Sequence, residues 1–135
     1  VDLLLQTAGS LVAILALAGL AWSMKLGVAP RLASSVDVAR IAGEVADGFA
    51  LVAEARDRSG SAALARDEKG RIMLIKRHGN RFAGRVLGPG AAARIESGAL
   101  EVDCGEARFG KVVLTLTDPQ AWATAINRLN EHRHA

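Results

Sequence analysis

The sequence has no tyrosine, one cysteine and 4% aromatic residues in 135 positions. A lone cysteine, Cys104, excludes an intramolecular disulfide and fits a reducing compartment. The scarcity of rings excludes a core of large aromatic side chains. A thin core is expected, leaning on Phe49, Phe82, Trp122 and aliphatic strands. Signatures of chemistry are also missing. The glycines form neither G-x-G-x-x-G between a strand and a helix nor a Walker loop, and read as turn residues. No carboxylate pair stands out. Cys104 alternates with polar neighbours and reads as a small inward-facing residue, not a nucleophile. His132 and His134 in the last four residues make at best an incomplete metal site. No cofactor, no metal and no enzymatic activity are expected.

The absence with the widest consequence is that of charge between residues 3 and 24. Half of the chain is hydrophobic and 23% is charged, which excludes a wholly disordered chain, and 135 residues hold one small domain. The split between an uncharged start and a polar remainder excludes a plain soluble domain. Leu3 to Met24 would form a helix of about 33 Å, enough for a bilayer core of about 30 Å. Trp22 falls where an indole favours the membrane interface, followed by Lys25 and Arg31, with Asp2 on the other flank. Positive charge stays on the cytoplasmic side, so the N-terminus is expected outside and the rest inside. Ala16-Leu17-Ala18 would suit signal cleavage, but the stretch opens Val-Asp in place of a basic region. Gly9, Ala13 and Ala16 place small residues on one side of the helix, where another helix could approach closely.

Residues 25–35 read as a linker, with Pro30 blocking helix continuation and Ser34 and Ser35 as caps. Val38, Ile41, Ala42, Val45 and Phe49 then recur at helical spacing, and Asp47-Gly48 ends that helix. Seven short runs follow at 50–56, 61–66, 71–77, 81–87, 92–95, 99–104 and 111–117, separated by glycine-containing turns. This pattern predicts a seven-strand antiparallel meander, with apolar 72–75 at its centre. Asp118 and Pro119 open a last helix, with Trp122, Ala125, Ile126 and Leu129 on its apolar face. The fold class is α+β: a membrane anchor at 1–24, a linker at 25–35, a β-domain with flanking helices at 36–131, and a tail at 132–135.

Seven short strands followed by one helix carrying Trp122 resemble pleckstrin-homology-like domains over residues 50–131. The resemblance implies a sandwich or barrel and a non-catalytic binding module. The first strand connection, Asp57 to Gly60, lacks the basic cluster of lipid-binding members, so phosphoinositide binding is not implied.

With Asp2 the sole charge in the first 24 residues, the remainder stands one unit above the chain's net +3. That suits an anionic surface or acidic partner. Basic residues are interleaved with acids, which argues against nucleic acid. The densest basic cluster is Lys76, Arg77, His78 and Arg81 with Arg85, around a predicted hairpin tip, a candidate contact for anionic lipid headgroups. Arg56, Arg58, Arg66 and Arg71 lie among acids and are expected to form surface ion pairs. Arg exceeds Lys by 13 to 4 and Ala abounds, as in chains from GC-rich bacterial genomes. The expectation is an accessory or assembly subunit of a larger complex in a bacterial inner membrane. The alternative is a free-standing tethered module for anionic lipid headgroups or a soluble partner.

Overall fold

The computed structural model of the chain describes residues 2–23 and 29–131, with side chains described for 2–19 and 29–131. Helix α1 (Asp2–Ser23) is, among the described residues, the one helix long and apolar enough to cross a membrane. Its described side chains are all exposed, Gly9, Ala13 and Ala16 included. Thr7 donates its hydroxyl to the Leu3 carbonyl at 2.8 Å, which satisfies that polar group within the helix. The Trp22 side chain, Lys25, His132 and His134 lie outside the described residues.

Helix α2 (Ser35–Val45) starts as its sequence demands: the Ser34 hydroxyl accepts from the Asp37 N–H at 3.4 Å. Strands β1 (Leu51–Arg56), β2 (Ala62–Asp67), β3 (Ile72–His78) and β4 (Arg81–Val86) form one antiparallel sheet in chain order. Strands β5 (Ala92–Glu96), β6 (Ala99–Asp103) and β7 (Lys111–Leu114) form a second. Helix α3 (Pro119–Glu131) follows, with Asp118 Oδ1 accepting from the Ala121 N–H at 3.2 Å.

The seven strands therefore divide four and three, and of the sandwich or barrel expected, the sheets do not close into a barrel. The connection after β4 explains the break. Leu87 N–H makes a last bond to the Ile72 carbonyl, and Gly88-Pro89-Gly90 then turns the chain, with Ala91 N–H bonded to Gly88. Proline has no donor with which to continue a ladder.

Alternation within the first sheet decides the layering. Ala62, Leu64, Ile72 and Leu74 face one core, shared with Leu100, Val102, Leu114 and Ile126 of the second sheet and α3. Ala63, Ala65, Met73 and Ile75 face another, shared with Val38, Ile41 and Ala42 of α2. Residues 72–75 are buried on both faces, as the unbroken apolar run predicts. Helix α2 is thus the cover of a whole sheet face. Each large aliphatic side chain so buried contributes roughly 1.5–3 kcal/mol.

Three details of the core depart from expectation. Its fully buried large apolar residues are aliphatic or Met, whereas Phe82 and Trp122 are only partly buried. Phe109, from the 105–110 stretch read as a turn, is buried between the sheets. Leu32, within the stretch read as linker, is 2% exposed and belongs to the α2 core.

Candidate functional site

Residues 30–34 form a strap along the first sheet. Leu32 anchors it by its side chain, and three hydrogen bonds tie its backbone to the first sheet and the β1–β2 turn. Leu32 N–H donates to Gly60 C=O at 2.8 Å. Arg77 Nη1 donates to Pro30 C=O at 2.9 Å, and Arg56 Nη1 to Ala33 C=O at 2.5 Å. Gly60 permits the approach. Its φ is +74°, and a Cβ there would lie 3.1 Å from Arg31 Nε and 3.2 Å from the Leu32 carbonyl.

Opposite the strap, Asp57 ties the β1–β2 turn to the end of β7. Its Oδ1 accepts from Thr115 N–H at 2.6 Å, and its Oδ2 accepts from Ser59 N–H at 3.0 Å and from the Ser59 hydroxyl. Arg58 N–H adds a bond to the Thr115 carbonyl at 3.2 Å. Burial pushes the Asp57 carboxyl up. The bonds from the Ser59 side chain and the Thr115, Ser59 and Arg58 backbone outweigh it and hold the group below the usual carboxylate range.

Between these two walls lies a cleft of about 940 Å³. The strap borders it on one side, Glu54 to Arg58 line its edge, and Leu116, Thr117, Asp118 and Trp122 close the other side. Its carboxylates are committed. Glu54 pairs with Arg56 at 3.2 Å, Asp57 holds the turn and Asp118 caps α3. Arg58 is exposed and, among the described residues, its guanidinium has no ion-pair or hydrogen-bond partner. The cleft lining thus sets Arg31, Arg56 and Arg58 against Glu54, Asp57 and Asp118 beside an indole.

The predicted hairpin cluster is not assembled as one surface. Lys76, His78, Arg81 and Arg85 share a sheet face through the pairs Lys76–Ala83, His78–Arg81 and Leu74–Arg85, but Arg77 pairs with Phe82 on the other. Lys76 bonds the Phe109 carbonyl and lies over its ring, 4.5 Å from the centroid. Arg85 Nε pairs with Glu106 at 2.7 Å, and Arg77 holds the strap. Only His78 and Arg81 remain as exposed tip residues without such ties. Strand alternation splits a cluster that looks contiguous in sequence.

Elsewhere the charges are used locally. Arg94 lies 3.0 Å from both Glu96 and Glu101, and the hydrogen bond it donates to the Glu101 carboxylate leads the upward shift of its pKa. Arg71 Nε pairs at 2.6 Å with Asp67, which is buried, where a surface ion pair was expected of that mixed cluster. No group of three or more His, Cys, Asp or Glu able to hold a metal occurs among the described residues. Cys104 is half-buried against the core.

From sequence alone, Arg31 is expected at the membrane interface, Trp122 in the core and Arg58 in an ion pair. Their gathering in one cleft depends on the strap, whose signal was Leu32, a large aliphatic isolated in an otherwise linker-like stretch. No protein-family model, curated protein or solved structure matches this chain.

Proposed function

We propose that this chain is a single-pass membrane protein serving as an accessory or assembly subunit of a larger complex in a bacterial inner membrane. The observation that carries this reading is the bare apolar surface of α1. Residues such as Leu4, Leu11, Ile14 and Leu17 are each more than half exposed. So much contiguous apolar surface calls for lipid or another helix. Gly9, Ala13 and Ala16 supply the small side along which a helix of the complex would pack. The basic flank after the helix sets the polar domain on the cytoplasmic side and the N-terminus outside.

The role is non-enzymatic in this reading, because each cleft carboxylate already has a structural duty and none is left to serve as acid or base. The four-plus-three strand division with a final helix keeps the element order on which the pleckstrin-homology-like resemblance rests. That too favours a binding module.

Purification in mild detergent tests the reading. The chain should migrate with a large assembly and define its composition, and Gly9→Leu or Ala13→Leu should weaken that association. Migration as a monomer or small homo-oligomer, unchanged by either substitution, would overturn it in favour of a free-standing tethered module.

A further inference from the structure

The two ends of the first sheet differ in charge. At one end lie the strap, the β1–β2 turn and the β3–β4 tip. The pair Ala62–Lys76 sets that turn beside β3, and the pair His78–Arg81 closes the tip. Residues 30–33, 56–62 and 76–82 hold Arg31, Arg56, Arg58, Lys76, Arg77 and Arg81 with one acid, Asp57. Counting Glu54 and Asp118 of the adjoining cleft still leaves six cations to three carboxylates. At the other end, where Leu51 pairs with Asp67, the charges balance. There residues 47–51 and 66–72 set Arg66, Lys69 and Arg71 against Asp47, Asp67 and Glu68. Strand alternation divides the basic residues between two faces, but both faces meet at the tip. Arg31, Arg58, His78 and Arg81 are all exposed at this end.

The covalent chain decides which end approaches a bilayer. Helix α1 ends at Ser23, and six residues, 24–29, separate it from Pro30. Even fully extended, they keep Pro30 within about 25 Å of the end of α1. Arg77 holds the Pro30 carbonyl, and its neighbour in sequence is His78 of the tip. The anchored chain therefore enters the domain at the cationic end. Strand β3 sets the balanced turn about 20 Å further off. We propose that this end of the domain rests on the bilayer, with Arg31, Arg58, His78 and Arg81 against anionic lipid headgroups. Such a surface attracts basic residues only within about a Debye length, a range that so short a connection allows. The contact fixes the orientation of the domain and points the 67–71 turn away from the membrane. The inference rests on α1 spanning the membrane and deepens that reading by assigning the polar domain its own lipid-facing surface.

The test uses the full chain in lipid nanodiscs, with Cys104→Ala so that one engineered cysteine takes a fluorophore. The label is placed at the tip by Asn80→Cys or at the far turn by Lys69→Cys, both exposed positions. Phosphatidylcholine with a nitroxide on its headgroup is the quencher. In discs of about 30% phosphatidylglycerol, quenching at the tip should exceed that at the far turn by about threefold or more. Leaving out the phosphatidylglycerol, or adding about 0.5 M salt, should lower tip quenching by about twofold or more. Arg58→Glu combined with Arg81→Glu should lower it as far, since both side chains are exposed and the fold does not need them. Equal quenching at the two positions would overturn the proposal, as would tip quenching indifferent to phosphatidylglycerol, salt and the double substitution. Failure of the chain to enter the discs would overturn the membrane-spanning reading and this inference with it. Insertion without charge-dependent quenching overturns this inference alone.

Discussion

Asn127 of α3 grips Ala93 of β5 from both sides. Its Oδ1 accepts from the Ala93 N–H at 3.0 Å, and its Nδ2 donates to the Ala93 carbonyl at 2.8 Å. One side-chain amide thus replaces the neighbouring strand that an edge residue would otherwise seek. Asn130 extends the pattern to the Ala91 carbonyl at 3.1 Å. This is how the final helix closes the second sheet: by polar contacts at its edge as well as by Ala123 and Ile126 in the core.

Asn127→Ala leaves both Ala93 groups unpaired under the helix. The expected cost is about 1–3 kcal/mol, the usual penalty for a part-buried orphaned group. Asn127→Asp retains an acceptor but turns a carboxylate oxygen toward the Ala93 carbonyl, so its effect should be at least as large. Hydrogen exchange of residues 92–96 in the full chain, held in mild detergent, reads both. Unchanged protection of that strand in Asn127→Ala would show that packing alone holds α3.

Gly84 and Val45 set the spacing between α2 and β4. A Cβ on Gly84 would lie 2.9 Å from Val45 Cγ2 and 3.2 Å from the Met73 sulfur. Valine is stiff about χ1 and cannot swing clear. Gly84→Ala should therefore destabilise the domain by about 1–3 kcal/mol through overpacking. Trimming the obstacle should recover most of that loss, so the double variant with Val45→Ala should be more stable than Gly84→Ala alone. Thermal unfolding of the four proteins completes a double-mutant cycle, and strict additivity would remove the proposed clash.

What could be read from the sequence was what local chemistry encodes. Ser34 and Asp118 cap helices where their side chains predict it, and residues 72–75 are buried on both faces because the run is apolar throughout. Strand limits follow the glycine turns closely, except that β7 ends at Leu114 while its apolar pattern runs on to Thr117. That shortening is tertiary, because Thr115 is taken by Asp57 and Arg58. The cleft was not legible for the same reason. Leu32, Gly60 and Asp57 are brought together by long-range contacts that no spacing rule records. Phe109 was hidden because a glycine-rich stretch reads as a turn whatever its one ring does.

The β5–β6 hairpin carries a local strain that can be relieved. Its two-residue turn places both Ser97 and Gly98 at positive φ, +53° and +79°. Such turns match strand twist but favour Asn or Gly in the first position. Ser97→Asn should stabilise the chain by about 0.4–1 kcal/mol. A rise in the unfolding midpoint is the expected result. A lower midpoint would mean that the serine hydroxyl has a role beyond the turn.

Acid should attack the fold at two carboxylates with different neighbours. Burial pushes Asp67 up, but Arg71's side chain and backbone, together with the Lys69 N–H, hold it below the usual range. The Arg71 N–H lies 2.8 Å from Oδ1 and the guanidinium Nε 2.6 Å from Oδ2. Arg71 Nη2 is buried with no hydrogen-bond partner among the described residues, so the cation depends on an ionised Asp67 to offset its lost hydration. Asp57 is lowered likewise, but by neutral donors. A group lowered in the folded state stabilises above its unfolded pKa, about 3.9 for Asp, and loses that contribution as pH falls through the folded value. The melting temperature should accordingly be level near neutrality and fall below about pH 4. Asp67→Asn and Asp57→Asn should each lower the neutral plateau and flatten the acid limb. Salt should separate them, since the Asp67 contribution involves a formal cation whereas that of Asp57 does not. If neither substitution altered the acid limb, carboxylates elsewhere would have to govern it, and the Asp57 corner would have no part in fixing the cleft wall.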